Sequence, residues 1–396
     1  AVKAYQQALK LKPDYVEAHY SLGNVLLQQG KIEAAIEAYQ QAVKIQPDLT
    51  EAYNNLGNAL KQQGKLEAAV EAYEQALNIQ TDEALFYNLG TALSEQSKLE
   101  AAVEAYQQAL KTQPDYALAK LGICMSQLPI IYSRVDEIQL KRNQYQQHLQ
   151  NLAHHYQVAQ PKERAEAAEA IGSLQPFYLT YQGLNDRPLQ QIYGEMICQL
   201  MSSRYPEWSQ PIPLPNLGVN DKVRVGFVSA YFRNHSNWKI PMKGWVENLD
   251  RSEFELFGYH TDLKRDWETV SAAKAFDKFT QGLLSLEKWC EAIAQDKLHI
   301  LIFPEFGMDP MTVKLGCLRL APIQMTSWGH PETSGLPTID YYLSSDLMEP
   351  KNAQEHYTEN LVRLPNLSIH YTNLAIEPQA ISKREIGIKD DEIMFW

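Results

Sequence analysis

The hydrophobic pattern of the chain changes once, near residue 220. Over residues 1–128, apolar and small residues recur with a helical period in blocks of 33 or 34 residues, and a looser helical pattern continues to residue 205. Beyond residue 220, short apolar runs alternate with helical stretches. The first pattern predicts stacked pairs of helices. The second predicts a parallel β-sheet with helices on both faces.

The helical blocks carry the same residues at the same places. A tyrosine within A-Y-x-Q-A recurs at spacings of 34, 34 and 33 residues, at Tyr5, Tyr39, Tyr73 and Tyr106. A Leu-Gly pair recurs in the other helix of each block, where glycine lets two antiparallel helices approach. The pattern closely resembles the tetratricopeptide repeat. We assign residues 1–128 to such repeats, with the first one incomplete.

The chain opens inside a repeat. Its first residues, A-V-K-A-Y, match A-I-E-A-Y at positions 35–39, which is the middle of a later block. Because exposed faces between repeats are poorly soluble, natural arrays carry caps. We therefore expect the sequence to be a piece of a longer protein, with further repeats upstream.

A stacked array of this kind presents a concave groove to an extended peptide. Asn55 and Asn88 occupy the same place, directly before a Leu-Gly pair. Amide side chains at such intervals can hydrogen-bond a peptide backbone whatever its sequence, so both are candidate peptide-binding residues. The alternative is that they are solvated asparagines on a helix surface.

Between the repeats and the β-rich region lies a helical connector, residues 129–205. Long amphipathic patterns run over residues 135–156 and 162–172, and prolines cluster at Pro206, Pro211, Pro213 and Pro215. Prolines at this density predict a stiff, extended linker. We place the linker at residues 206–220 and the next domain at residues 221–396.

That domain alternates strand and helix patterns. Candidate strands are residues 223–228, 254–260, 300–303, 323–327, 341–344 and 361–364, and candidate helices include 269–275 and 286–296. Neither G-x-G-x-x-G nor G-x-x-x-x-G-K-[ST] occurs, which argues against the usual dinucleotide and P-loop sites. The G-x-S-x-G elbow is also missing, which weakens a hydrolase assignment.

Three loops that follow strands carry polar or small residues. The first ends in Arg233, Asn234 and His235, the second contains Glu305, and the third reads S-W-G-H-P-E-T-S-G and contains His330. Because ligands of open α/β sheets bind at the carboxyl ends of the strands, we expect these loops to converge on a site. The alternative is that they are merely tight, polar turns.

Composition excludes several classes of protein. The net charge is −12 and there is no cluster of Lys and Arg, which argues against a nucleic-acid surface. Four cysteines lie far apart without a C-x-x-C pair, which fits a reducing cytoplasm better than a disulfide framework or a zinc site. No apolar stretch is long enough to cross a bilayer, and the N-terminus does not have the pattern of a signal peptide. We expect a cytoplasmic protein with neither a nucleic-acid nor a membrane partner.

The motifs V-R-V-G-F-V-S-x-x-F-R-N-H-S, H-I-L-I-F and L-R-L-A-P-I-Q-M-T-S-W-G-H-P-E-T-S-G resemble the O-linked N-acetylglucosamine transferase family. This family includes the SPINDLY-type enzymes and bacterial relatives. The resemblance implies a GT-B glycosyltransferase, in which two Rossmann-like lobes face each other across the reaction cleft. The fold class we expect is therefore α plus α/β: a tetratricopeptide superhelix followed by the amino-terminal Rossmann-like lobe of a GT-B fold.

The resemblance also implies roles for individual residues. His235 matches the active-site histidine near the acceptor, and Asp296 and His299 belong to a D-x-x-H stretch that we include among the catalytic candidates. Gly329 matches a glycine beside the donor sugar. The candidate substrate-binding residues are Gly329, His330, Pro331, Thr333, Ser334 and Asn234. Neither a metal nor a cofactor is implied.

The activity implied is transfer of a sugar, most simply N-acetylglucosamine from UDP-GlcNAc, to Ser or Thr hydroxyls of proteins held in the repeat groove. It would be inverting and metal-independent. Two departures put the sugar and acceptor preference in doubt: Glu332 replaces a family glycine, and Asn237 to Lys239 fill the place of a second histidine. Alternatives are a transferase of O-fucosyl type that uses a GDP-sugar, and an interaction scaffold with a non-catalytic α/β lobe.

Family members continue into a carboxyl-terminal lobe that holds the nucleotide. The sequence ends at E-I-M-F-W, which reads as the start of another strand. Because the charge of the leaving diphosphate must be stabilised during transfer, we expect residues 1–396 to be inactive alone.

Overall fold

The computed structural model describes residues 1–218, 220–329, 333–370, 381–389 and 391–392. Paired helices come first along the chain, and a seven-stranded sheet follows them within the described residues. Within the described residues, none of the helices combines the length and the apolar character needed to cross a membrane.

Eight helices build the repeat region, and consecutive helices pack as antiparallel pairs. They are α1 (Val2–Leu11), α2 (Val16–Gln28), α3 (Ile32–Ile45), α4 (Thr50–Gln62), α5 (Leu66–Ile79), α6 (Glu83–Glu95), α7 (Leu99–Thr112) and α8 (Ala117–Met125). An ideal Cβ placed on Gly57 of α4 would lie 2.6 Å from the ring of Tyr73 in α5. Only glycine permits that approach, which explains why the Leu-Gly pair and the tyrosine recur together. The same contact joins Gly23 to Tyr39 and Gly90 to Tyr106.

Three helices follow the repeats: α9 (Val135–Val158), α10 (Pro161–Ala167) and α11 (Arg187–Arg204). The sequence pattern predicted α9 and α10, whereas α11 was missed. Helix α11 buries a stripe made of Leu189, Tyr193, Met196, Ile197, Leu200 and Met201. The stripe belongs to one hydrophobic core that also contains Tyr145 of α9 and Phe303 of the sheet. The connector therefore packs directly onto the α/β domain instead of standing apart from it.

All seven strands of the sheet run parallel, in the order β3-β2-β1-β4-β5-β6-β7. They are β1 (Val223–Ser229), β2 (Phe254–His260), β3 (Lys278–Gln281), β4 (Ile300–Phe303), β5 (Ile323–Ser327), β6 (Tyr341–Ser345) and β7 (Asn360–Leu364). The six strands predicted between residues 223 and 364 are confirmed, and the edge strand β3 was missed. The strand start predicted at residues 392–396 falls almost wholly outside the described residues. The helices of this domain are α12 (Lys243–Asn248), α13 (Trp267–Ala275), α14 (Leu286–Gln295) and α15 (Pro310–Gly316), with a π-helical turn (Trp238–Met242) leading into α12.

The strand order places a topological switch between β1 and β4. From β1 the chain moves outward through β2 and β3, then returns beside β1 as β4 and moves outward on the other side. Val225 pairs with Ile300 and Phe227 with Ile302, so the two strands end at the same edge. In open α/β sheets the crevice at such a switch point is where ligands bind.

Candidate functional site

The loop after β1 carries His235 at the carboxyl edge of the sheet. Its second residue, Tyr231, donates a hydrogen bond from its hydroxyl to the Met308 carbonyl oxygen across 3.0 Å. The imidazole of His235 lies over the Tyr231 ring, with ring centroids 4.3 Å apart. Arg233 also lies over that ring, 5.2 Å from its centroid. The His235 side chain is itself partly exposed, so a ligand can reach it.

Hydrogen bonding defines which nitrogen of His235 carries the proton. The backbone amide of Asn237 donates to Nδ1 across 3.2 Å, so Nδ1 is an acceptor and the neutral ring carries its proton on Nε2. Burial, together with the positive charge of Arg233, lowers the pKa of His235. The ring is therefore neutral at pH 7 and offers a hydrogen-bond donor at Nε2. This geometry suits a residue that orients a substrate oxygen better than one that removes a proton through Nε2.

Asn234, a predicted substrate-binding residue, lies exposed in the same loop. Its backbone amide donates to Asp266 across 2.7 Å, and its side-chain oxygen accepts from Lys239 across 3.1 Å. Asp266 also caps the N-terminus of α13. These contacts attach the loop to the start of α13, which follows β2. The predicted contact of Asn234 with substrate stays a prediction.

The loop after β4 places a carboxyl group under the loop of β1. Glu305 is fully buried, and its Oε1 accepts a hydrogen bond from the Ser229 hydroxyl across 2.8 Å. The other oxygen, Oε2, has no hydrogen-bond partner among the residues that the structure describes. Burial raises the pKa of Glu305 well above its ordinary value; the hydrogen bond from Ser229 opposes this rise and the nearby Asp309 adds to it. The rise favours the neutral, protonated form of this carboxyl group.

The turn after β5 contacts the loop of β4 at Gly329. The amide of Gly329 donates to the Pro304 carbonyl oxygen across 3.1 Å. An ideal Cβ on Gly329 would lie 2.4 Å from that oxygen and 3.1 Å from Cβ of Glu305, so no larger residue fits here. His330 and Pro331, both predicted to bind the donor, lie outside the described residues, as does Glu332.

Thr333 and Ser334 direct their side chains to another carboxylate. Both hydroxyls donate to Glu359, and the backbone amide of Ser334 donates to the same group across 2.8 Å. Glu359 is itself buried directly before β7. These hydroxyls therefore stabilise the turn, and a role for them in donor binding stays a prediction.

Asp296 and His299 lie at the opposite edge of the sheet. Asp296 accepts hydrogen bonds from Tyr259 across 2.7 Å and from Lys278 across 2.6 Å. His299 accepts at Nδ1 from the amide of Arg224, the second residue of β1. At about 3.3 Å per residue, that point is roughly 16 Å from the carboxyl end of β1. This separation corrects our grouping of both residues with His235: we assign them a structural role at the amino ends of the strands.

The repeat asparagines pair with neighbouring repeats. The side-chain nitrogen of Asn55 donates to Asn24 across 3.0 Å and to Tyr20 across 3.2 Å, and that of Asn88 donates to Asn54 across 2.9 Å. Neither of the two carbonyl oxygens receives a hydrogen bond from the described part of the chain. Any peptide contact that they make would therefore use these oxygens as acceptors for peptide N–H groups.

A narrow cavity lies between α11 and the loops of β4 and β5. Its volume is about 50 Å³, and its walls include Gln190, Tyr193, Gly307, Thr326 and Ser334. Ligand pockets usually measure roughly 300–1,000 Å³, so we do not assign a sugar to it. Its position shows instead that the connector borders the site directly.

Three residues of the site were not singled out from the sequence: Tyr231, Asp309 and Glu359. Glu359 contacts the β5 turn across 25 residues of chain, which no local pattern signals. Within the described residues, no group of three or more His, Cys, Asp or Glu side chains has an arrangement that could hold a metal ion.

Comparison with known proteins identifies both regions. Residues 1–64 match a tetratricopeptide repeat model in two overlapping segments, and residues 50–81 and 84–116 match a second one. Residues 209–372 match the model for glycosyl transferase family 41. A region that matches glycosyl transferase family 41 thus follows a region that matches tetratricopeptide repeats. The family 41 match starts at the proline-rich linker and includes β1 to β7.

Similar proteins carry consistent names. A tomato (Solanum lycopersicum) protein named probable UDP-N-acetylglucosamine–peptide N-acetylglucosaminyltransferase SPINDLY is 32% identical over 158 residues, covering 37% of this chain and 16% of that protein. A Caenorhabditis elegans protein named UDP-N-acetylglucosamine–peptide N-acetylglucosaminyltransferase is 30% identical over 148 residues, covering 37% of this chain and 13% of that protein. These matches therefore span less than a fifth of either relative.

A solved structure shows the same fold. A mutant O-GlcNAc transferase from Thermobaculum terrenum superposes with a TM-score of 0.59 at 20% identity, covering 89% of this chain and 58% of that one. The predicted fold class, a repeat array followed by the amino-terminal lobe of a GT-B fold, is thereby confirmed.

Proposed function

We propose that the protein containing this chain is a protein O-glycosyltransferase. It moves a sugar from a nucleotide diphosphate to Ser or Thr hydroxyls of polypeptides that the repeats hold. The observation that carries the proposal is the meeting of three loops at the β1–β4 switch point: the His235 loop, the Glu305 loop and the Gly329 turn. The family 41 match and the names of the relatives support the same activity.

N-acetylglucosamine from UDP-GlcNAc is the donor that we propose, since the relatives are named for it. We further propose a single displacement that inverts the anomeric centre without a metal, as the family resemblance implies. His235 orients the acceptor hydroxyl: a neutral ring that donates from Nε2 supports this role. The positive charges of Arg233, in the same loop, and of Lys239, in the π-helical turn that follows it, favour an anionic donor.

The acceptor reaches the site along the repeats. We propose that Asn55 and Asn88 bind the peptide backbone through their side-chain oxygens, which keeps binding independent of peptide sequence. The connector supports this arrangement because α11 joins the repeat region to the loops of β4 and β5 in one core.

Two further features are proposed. Residues 1–396 alone do not turn over, because stabilising the leaving diphosphate requires cations or a helix N-terminus beyond those of this lobe. The protein works in the cytoplasm; its four cysteines are free and buried, which supports a reducing compartment.

The test is a transfer assay with the full-length protein, a cell extract as acceptor, and either radiolabelled UDP-GlcNAc or radiolabelled GDP-fucose as donor. We expect label from UDP-GlcNAc on Ser or Thr, located by mass spectrometry. If only GDP-fucose labels protein, the donor is a GDP-sugar and not UDP-GlcNAc. If neither donor labels protein while extended peptides still bind the repeats, the protein is a scaffold and the proposal is wrong.

A further inference from the structure

Glu305 occupies a place that the transfer chemistry described above does not use. It is fully buried at the carboxyl end of β4, directly beside the end of β1. Family resemblance and sequence pattern assign no role to it. Yet it contacts both neighbouring loops: Ser229 donates to it from β1, and Gly329 of the β5 turn lies against its Cβ.

Three successive contacts connect Glu305 to His235. The Ser229 hydroxyl that donates to Glu305 accepts in turn from the backbone amide of Tyr231 across 2.9 Å. The Tyr231 ring then lies under the imidazole of His235 at 4.3 Å. A carboxyl group at this point thus fixes the hydroxyl of Ser229, the start of the loop and the ring on which the histidine rests.

The loop of β4 supports the same region from a second point. Met308, three residues after Glu305, accepts the hydrogen bond of the Tyr231 hydroxyl across 3.0 Å. Asp309 accepts from Thr261 after β2 across 3.1 Å and from the amide of Thr312 at the start of α15. One short loop therefore fastens the ends of β1 and β2, and Glu305 is its only fully buried carboxyl group in the described residues 304–309.

We propose that Glu305 is a positioning residue of the transfer site. Its carboxyl group ties the end of β1 to the loop of β4 and the turn of β5, and so sets the place of His235 relative to Gly329. The proposal rests on the transferase function proposed above. It predicts that the group acts through geometry and through its neutral, hydrogen-bonding form.

The electrostatic surroundings agree with a neutral group. The carboxyl of Asp309 faces Glu305 from the same loop. From the β1 loop, Tyr231 lies near both acids, and Arg233 and Asp262 also act on that tyrosine. No cation is placed to pair with Glu305 among its described contacts, so a charged carboxylate here would be buried beside another acid.

Three substitutions separate the roles. Glu305→Gln keeps the acceptor oxygen and the shape but cannot ionise. Glu305→Ala removes the acceptor of the hydrogen bond from Ser229, and Ser229→Ala removes its donor. Glu255→Gln is the matched control: Glu255 is a half-buried acid within β2 whose side chain makes no hydrogen bond to the described residues.

The first readout is kinetic, on the full-length protein with UDP-GlcNAc. We expect Glu305→Ala and Ser229→Ala to lower kcat by on the order of 10- to 100-fold, with the KM for the donor changed little, because small displacements of reacting groups are costly. Glu305→Gln and Glu255→Gln should retain most of the wild-type kcat. An equal loss of kcat in Glu305→Gln and Glu305→Ala would show that the charge of Glu305 is needed. A wild-type kcat in both Ala variants would show that the hydrogen bond between Ser229 and Glu305 is not needed. Either result overturns the proposal.

The second readout does not depend on activity. The ring nitrogens of His235, observed by ¹⁵N NMR of histidine-labelled protein, report its tautomer and its titration. Glu305→Ala and Ser229→Ala should shift both, whereas Glu305→Gln should leave them close to wild type. If transfer is absent in the wild type but these shifts occur, the proposed function fails and the positioning role stands. Unchanged His235 signals in folded Ser229→Ala would overturn the positioning role itself.

Discussion

The backbone amide of Asn237 donates a hydrogen bond to Nδ1 of His235 across 3.2 Å. This contact, only two residues apart in the chain, decides what the imidazole can do. With Nδ1 occupied as an acceptor, the neutral ring has its N–H at Nε2. A general base acting from Nε2 would need the other tautomer, and hence the loss of this hydrogen bond.

The first prediction separates orientation from proton removal. Gln places its side-chain NH₂ close to the position of Nε2, so His235→Gln should keep turnover within about tenfold of wild type, while His235→Ala should lose on the order of 10²-fold, as for other single donors in active sites. Steady-state kinetics of the full-length protein measures both. Ser236→Ala, an exposed neighbour in the same loop, is the control and should be unaffected. Equal losses in the Gln and Ala variants would favour a base.

The second prediction concerns the join between connector and site. An ideal Cβ on Gly194 of α11 would lie 2.0 Å from the carbonyl oxygen of Gly335 in the β5 turn. Because that neighbour is backbone, Gly194→Ala must displace the helix or the turn, and we expect a loss of about 1–3 kcal/mol or more in the free energy of unfolding. Urea denaturation measures it. Gly282→Ala is the matched control, since a Cβ there would meet no atom closer than 3.9 Å; similar losses in both would show that the packing is not the cause.

The third prediction concerns the carboxylate under the β5 turn. Glu359 accepts from both hydroxyls and from one amide of Thr333 and Ser334. Glu359→Gln replaces one accepting oxygen by a donor, which leaves a buried N–H or O–H unpaired and should cost about 1–3 kcal/mol. Urea unfolding of this variant should show that loss, while the exposed Glu355→Gln should unfold like wild type. Wild-type stability in Glu359→Gln would mean that the turn is held by other contacts.

The sheet was largely predictable because its strands are short apolar runs closed by turn residues. Strand β3 was not predicted, because this edge strand, K-F-T-Q, has a single large apolar residue and therefore no apolar run. Helix α11 was missed although its apolar residues recur at helical spacing. Proline is compatible with the first turn of a helix, which is where Pro188 lies.

The site was less predictable than the fold. The β1 loop and the β5 turn follow from strand ends and a family motif, and the structure brings them together through Glu305. The contacts that define their chemistry join residues far apart in sequence, such as Ser229 with Glu305 and Ser334 with Glu359. A single sequence does not encode such pairs as a pattern. Asp296 and His299 show the converse error: they are close in sequence to β4 but lie at its other end.

The fourth prediction concerns peptide binding by the repeats. If the free oxygens of Asn55 and Asn88 accept backbone N–H groups, replacing both with Ala should weaken peptide binding by roughly 3- to 10-fold per residue, since a hydrogen bond contributes about 0.5–1.5 kcal/mol. Fluorescence anisotropy with peptides of unrelated sequence should show the same loss for each. Gln40→Ala and Gln107→Ala, exposed amides on the second helices of their repeats, are the controls. A loss confined to one peptide sequence would contradict backbone recognition.

The fifth prediction follows from the raised pKa of Glu305. A carboxyl whose pKa is higher in the folded than in the unfolded protein holds more protons when folded, so stability falls as the pH rises from the ordinary value of about 4.5 toward the folded pKa. Glu305→Gln cannot ionise and should escape this loss. Its advantage in unfolding free energy over wild type should therefore grow between pH 5 and pH 8, by about 1.4 kcal/mol for each unit of pKa elevation that lies within that range.

Glu268 is a buried carboxyl group with a cationic partner, which makes it a contrast to Glu305. It pairs with Lys243 across 3.0 Å and accepts from the indole N–H of Trp238 across 3.0 Å. Glu268→Gln leaves the lysine charge without its partner and should destabilise the protein at pH 8. Urea unfolding of both variants at pH 5, 6.5 and 8 distinguishes the two carboxyl groups. If Glu305→Gln were less stable than wild type at all three pH values, Glu305 would resemble the paired Glu268, and a neutral carboxyl would have no part in holding the His235 loop.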